Sequence, residues 1–355
     1  MNVVPDAYAD RPAAASPESD ISLRTYTTLR LGGPAGTLTV VTEPDEAVAT
    51  VRDGASAGDP VLILAGGSNV VISDAGFPGH VILLRTRGIR VIQRDAGHLV
   101  VRVAAGESWD GFVAYAVANG WSGVECLSGI PGSVGATPIQ NVGAYGQEVA
   151  HTIVAVRVFD RVTGAVRMMS PAECRFAYRS SVFKRNDRWL VLEVDFRLAV
   201  HADSAPIRYG ELARHLGVEL DARVPLDRCR ETVLKVRAGK GMVLDPDDKD
   251  TWSVGSFFTN PVLPVLPDEG MPHWPGGDGT VKIPAAWLIE RAGFPRGFTL
   301  GGDVAISAKH TLALTNRGSG TTAALLELAR AIRTGVADRF GIVLHPEPVL
   351  INCTL

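Results

Sequence analysis

The sequence predicts a mixed α+β protein made of three blocks, and three observations carry that prediction. From residue 38 onward, apolar runs of strand length alternate with segments of helical periodicity. Residues 190–198 alternate strictly, Val191, Glu193, Asp195 and Arg197 standing against Leu190, Leu192, Val194 and Phe196, the pattern of an antiparallel strand with one wet face. The chain's 355 residues also exceed what one hydrophobic core serves at ~150 residues per domain.

The elements follow in chain order. Residues 1–20 read as a disordered tail, because Asp and Glu stand where a secretory leader needs a basic end and an apolar run. The first block, 21–85, holds a strand at 38–41, a helix at 44–55, a strand at 61–65 and an apolar run at 81–84. The second block, 86–241, opens with strands at 89–93 and 99–103. A helix at 109–118 follows, with Gly120 at its C-terminal stop. Strands at 153–159, 165–169 and 190–198 come next. A helix at 225–238 has Pro225 in its first turn and Leu226, Cys229, Val233 and Val236 on one face. The third block, 242–340, contains a Pro- and Gly-dense surface loop at 263–279 and a helix at 284–292. It ends in the longest amphipathic helix, 321–339, with Leu325, Leu328, Ile332 and Val336 inward and Arg330, Arg333 and Arg339 partly opposite.

Composition narrows the function. With 46% hydrophobic and 21% charged residues the chain is globular. A net charge of -3 supplies no general field for a nucleic-acid backbone or an anionic membrane, so neither is expected as a partner. Cys126, Cys174, Cys229 and Cys353 form no C-x-x-C pair, and the histidines no H-x-x-x-H pair. No metal site or disulfide framework is indicated, and a reducing cytoplasm fits. Cys126 itself reads as a small buried hydrophobe.

Two glycine-rich stretches could bring backbone N–H groups to a phosphate. The first, Ala65-Gly66-Gly67-Ser68-Asn69, follows directly on an apolar strand. The second runs from Ser128-Gly129-Ile130-Pro131-Gly132-Ser133-Val134-Gly135-Ala136 to Gln140-Asn141-Val142-Gly143-Ala144-Tyr145-Gly146. Turns alone would account for either stretch. Neither matches the G-x-G-x-x-G fingerprint or a P-loop, which disfavours a Rossmann nicotinamide site and P-loop ATP binding. Three further segments place polar groups in apolar surroundings. Tyr178-Arg179-Ser180-Ser181-Val182-Phe183-Lys184 sets two cations among aromatics, suited to a carboxylate or pyrophosphate, although a solvated turn explains it too. Gly255-Ser256-Phe257-Phe258-Thr259-Asn260-Pro261 sets a hydroxyl beside two phenylalanines, where a turn former is the plain alternative. Pro346-Glu347-Pro348 holds one carboxylate between two prolines, or leaves it as an ordinary surface residue.

With these motifs in order, and with Thr28-Leu29-Arg30-Leu31-Gly32-Gly33, Trp287-Leu288-Ile289-Glu290 and His345-Pro346-Glu347, the sequence resembles the UDP-N-acetylenolpyruvoylglucosamine reductases, also called UDP-N-acetylmuramate dehydrogenases. The resemblance covers about residues 22–355. It implies a two-part FAD-binding module of the PCMH/VAO-like kind, 21–85 and 86–241 with a return segment at 341–355, plus a substrate-binding α/β domain at 242–340. It implies FAD as cofactor, NADPH as co-substrate, UDP-N-acetylglucosamine enolpyruvate as substrate, a role in peptidoglycan synthesis and a cytoplasmic monomer.

Carried over residue by residue, it assigns FAD to Gly66, Gly67, Ser68, Asn69, Ser128, Gly129, Ile130, Pro131, Gly132, Gly135 and Ala136, and to Gly143, Ala144, Tyr145 and Gly146. Arg179 and Glu347 match an enol-stabilising pair, and Ser256 a proton donor. Tyr209 matches the mobile-loop tyrosine of the type I branch. Lys240 resembles a diphosphate contact, with a longer spacer to Ser256 than the family form, and Tyr178, Asn260 and Glu290 fall at substrate positions. The competing readings are an oxidase or dehydrogenase of the same superfamily acting on another alcohol or sugar, and a flavin-binding scaffold without catalysis.

Overall fold

A computed structural model describes residues 18–19, 21–277 and 279–355. The chain divides into two units: the first comprises the described residues up to Ile21 with residues 35–67 and 77–244, the second residues 22–34, 68–76 and 245–355.

The first unit holds two sheets. In the smaller, Phe77–Leu84 is the central strand, with Ala35–Val41 and Val61–Leu64 parallel to it on either side. Its Val81 and Ile82 are fully buried, and the helix Pro44–Ala57 makes the connection that parallel strands require. Glu18–Ser19 adds a short antiparallel edge on Ala35–Val41, so these two residues are strand where a disordered tail was expected. Residues 1–17 and Asp20, the rest of that expectation, lie outside the described residues.

The larger sheet is antiparallel, in the order Ala165–Met169, Ile153–Asp160, Trp189–Val200, His98–Ala104, Ile89–Asp95, with Trp121–Ser122 on the end of Trp189–Val200. The helix Trp109–Ala118 covers it. Ser108 caps that helix by accepting the Gly111 N–H, and Trp109, Phe112 and Phe196 form a buried aromatic cluster with centroids 5.1 to 5.8 Å apart.

The expected wet face of Trp189–Val200 is wet only at Arg197; Val191, Glu193 and Asp195 are buried. Glu193 and Asp195 are buried because this is an inner strand whose neighbours supply arginines in register. Asp195 accepts two bonds from Arg102, at 2.6 and 2.7 Å, and Glu193 accepts from Arg157 and Arg90, both at 2.9 Å.

The second unit is built on the antiparallel sheet Ser253–Ser256, Ala313–Asn316, Val304–Ile306, packed under Thr322–Phe340. Leu325, Leu328, Ile332 and Val336 of that helix are fully buried, and Thr321 caps it through the Ala324 N–H. The segment expected as a plain loop at 263–279 carries Trp274–Pro275, which with Val262–Leu263 flanks Val281–Lys282 in a small sheet. Val349–Ile351 pairs in parallel with Val70–Ile72, so the segment read as returning to the second block takes its partner strand from residues 68–76. Among the described residues no helix is long and apolar enough to cross a membrane.

Candidate active site

In the first unit the two glycine stretches meet. A Cβ on Gly66 would stand 2.6 Å from Gly132 Cα and 2.9 Å from Gly132 C, so backbone lies against backbone where any side chain would push the loops apart. Gly129 takes φ 71°, and its N–H donates to Asp110 Oδ1 at 2.6 Å. Asp110 is held in turn by Arg230, at 2.6 and 2.9 Å, both side chains being buried. Thus one turn of Trp109–Ala118 and one of Leu226–Gly239 fix the loop between them.

The expectation of many free loop donors is narrowed. The N–H groups of Ser128, Val134, Gly135 and Ala136 go to Glu125 O, Glu107 O, Ala105 O and Ser133 O. Among the described residues those of Ile130, Gly132 and Ser133 meet no acceptor, and the buried Ser133 hydroxyl has no partner either. Three N–H groups and an orphan hydroxyl on a backbone pared to glycine fit the phosphates of a dinucleotide such as FAD.

The following hairpin, Gly143–Ala144 with Gln147–Glu148, is held by Arg179. Its Nη2 donates to Gly143 O at 2.5 Å, its Nη1 reaches Asn141 O at 3.4 Å, and its guanidinium lies 5.3 Å from the Tyr178 ring. Beyond the hairpin, Tyr145 meets Tyr209 edge-on, with centroids 5.6 Å apart. Tyr209 stands at the start of the helix Gly210–Leu216, an element the sequence analysis does not predict. Lys240 lies 5.9 Å over the Tyr145 ring and donates to Glu211 Oε2 at 2.7 Å. Burial raises the Tyr145 and Tyr209 hydroxyls above their ordinary pKa and lowers that of Arg237, which touches Tyr145. Glu211 and Arg237 were not singled out from the sequence. Their only signal is proximity in chain to Tyr209 and Lys240.

In the second unit Ser256 ends the strand Ser253–Ser256, and the next residue reaches Glu347: the Glu347 N–H donates to Phe257 O at 2.9 Å, and Phe258 bridges Pro346. The chain between the two prolines is thereby tied beside the serine. Asn260 Oδ1 accepts the Ala285 N–H at 2.9 Å and starts Ala285–Arg291, which carries Glu290. Glu290 Oε1 accepts from Thr311 Oγ1 at 2.5 Å. Ser68 and Asn69 belong to this unit, Asn69 O accepting the Val349 N–H at 3.0 Å.

Residues 36–170 match the FAD binding domain family, and residues 245–351 match the UDP-N-acetylenolpyruvoylglucosamine reductase C-terminal domain. With the α+β fold and the glycine cradle, this defines a flavoprotein oxidoreductase whose cofactor is FAD. The UDP-N-acetylenolpyruvoylglucosamine reductase of Salinispora arenicola is 57% identical, the match covering 100% of both chains. That of Thermobifida fusca is 55% identical over 95% of this chain and 98% of its own. The crystal structure of the reductase from Thermus caldophilus has a TM-score of 0.66 at 26% identity, covering 95% of this chain and 100% of the other. The chain belongs to the UDP-N-acetylenolpyruvoylglucosamine reductase family, a family of cell-wall synthesis.

Proposed function

We propose that the chain reduces the enolpyruvyl group of UDP-N-acetyl-3-O-(1-carboxyvinyl)-glucosamine to give UDP-N-acetylmuramate, with NADPH as reductant, as a cytoplasmic monomer. The observation that carries the chemistry is the tie between Ser256 and Glu347, which puts a hydroxyl and a carboxyl on neighbouring stretches of backbone. FAD, when bound, supplies the two-electron hydride chemistry between the nicotinamide and the enolpyruvyl methylene.

The protein's own task is the charge left behind. Hydride arriving at the methylene leaves an electron pair on the adjacent carbon, conjugated with the carboxylate as an enolate. Arg179 pairs with that carboxylate, and Glu347, protonated or sharing a proton, donates a hydrogen bond to the same developing charge. Ser256 then delivers a proton to the carbon, completing the reduced lactyl ether. A serine hydroxyl is a weak acid by itself, so its proton is replaced through water or a neighbouring group. Tyr178, Tyr209, Lys240, Asn260 and Glu290 bind the sugar nucleotide. Gly66, Gly67, Ser68, Asn69, the 128–136 loop and Gly143, Ala144, Tyr145 and Gly146 bind the cofactor.

Ser256→Ala tests the proton-donor role. The variant should keep its flavin and its reduction by NADPH, while reoxidation by the enolpyruvyl sugar nucleotide slows by about two to three decades, the usual effect of losing one preorganised donor. Turnover at the wild-type rate would contradict it.

A further inference from the structure

Arg30 sits in the second unit with a left-handed backbone, φ 55°, that a non-glycine residue rarely adopts. The fully buried Asn316 enforces it, its Nδ2 donating to Arg30 O at 3.1 Å and to Leu29 O at 3.2 Å. The strained turn aims the guanidinium at Trp252, 5.0 Å from the ring centroid, and Lys249 Nζ lies 6.0 Å from the same ring.

Nothing in the described chain satisfies these donors. Arg30 Nε and Trp252 Nε1 are both buried without a hydrogen-bond partner, and neither Arg30 nor Lys249 has a carboxylate within ion-pair distance among the described residues. Two acidic residues of the same stretch are occupied. Asp250 is held by Arg317 at 2.9 Å and by the Ala308 N–H at 3.0 Å, and Asp248 is held by Lys309. Arg24 adds a further cation, its Nη2 on Gly318 O at 3.4 Å, beside Lys249.

We propose that Arg30, Lys249 and the Trp252 indole N–H form a binding site for a phosphate-type oxyanion. A buried guanidinium N–H and an indole N–H, both lacking acceptors, call for an oxygen acceptor, and two unpaired cations call for negative charge. The site lies at the far end of Ser253–Ser256 from the serine, roughly 10 Å along the strand at ~3.4 Å per residue. It stands independently of the proposed reaction.

The test is calorimetric titration of the full-length, FAD-loaded protein with inorganic phosphate at constant ionic strength, repeated with NADPH and with NADH. Arg30→Gly removes the guanidinium and relaxes the left-handed backbone, so the fold is kept. Trp252→Phe keeps a ring and removes the N–H. The wild type should bind phosphate saturably; Arg30→Gly should weaken it by about 10- to 100-fold and Trp252→Phe by about 3- to 10-fold, as expected for a charged and a neutral hydrogen bond. If Arg30→Gly also weakens NADPH but spares NADH, the oxyanion is the nucleotide's 2′-phosphate. If both nucleotides bind as before while phosphate binding falls, free phosphate is the ligand. Phosphate binding that is absent in the wild type, or unchanged in both variants, overturns the proposal.

Discussion

Gly66 and Gly132 touch through backbone alone: a Cβ on the first would stand 2.6 Å from the Cα of the second. Because backbone cannot yield as a side-chain tip can, Gly66→Ala should part the two loops. Protein purified with this variant should carry little FAD, read as lost absorbance near 450 nm, while far-ultraviolet dichroism stays close to wild type. Full flavin occupancy would show that the contact does not shape the cradle.

Asp110 joins that cradle to the helix Leu226–Gly239 through Arg230 and also receives the Gly129 N–H. Asp110→Ala removes the carboxylate from a buried ion pair, at a cost of about 3 to 5 kcal/mol. We expect a melting temperature lower by roughly 6 °C or more, together with weaker FAD binding because Gly129 loses its anchor. Replacing the pair with Asp110→Leu and Arg230→Met should recover stability but not flavin affinity, since no acceptor for Gly129 returns. A double variant binding FAD as tightly as wild type would contradict the anchoring role.

The buried thiols make stability fall on the alkaline side. Burial pushes the Cys174 thiol up to about 12 from an ordinary value of 9.0, and the Cys126 thiol is raised by its contact with Cys229, 3.8 Å away, and by burial. The folded state thus keeps protons that the unfolded state releases. This contribution is complete below pH 9.0 and is lost as pH rises toward about 12. Denaturant midpoints measured across that range should fall less steeply in Cys174→Ala than in wild type. Parallel slopes would refute the Cys174 contribution.

Much of the fold was legible because periodicity reports burial within one element. The helix at 321–339 and the strand at 190–198 were found within two residues of Thr322–Phe340 and Trp189–Val200. What periodicity cannot report is the neighbour. Glu193 and Asp195 alternate as solvent-facing residues should, yet arginines 36 and 93 positions away cover them. The same limit applied to the site. The glycine stretches were visible, but their meeting at Gly66 and Gly132 is a tertiary fact, and so is the use of five loop N–H groups by the protein itself. The helix Gly210–Leu216 has only seven residues and opens on glycine, too short for a helical repeat to declare itself. Ser256 and Glu347 each stood out within its own segment, but only motif order linked them, since 91 positions separate residues that the Phe257 and Glu347 backbones bring side by side.

An anaerobic visible spectrum follows the passage of hydride from NADPH to an enolpyruvyl sugar nucleotide in one experiment. The FAD-loaded protein should bleach with one equivalent of NADPH and recover its yellow colour on addition of UDP-N-acetylglucosamine enolpyruvate. Flavin that bleaches but stays reduced when the sugar nucleotide is added would contradict the assignment of the substrate.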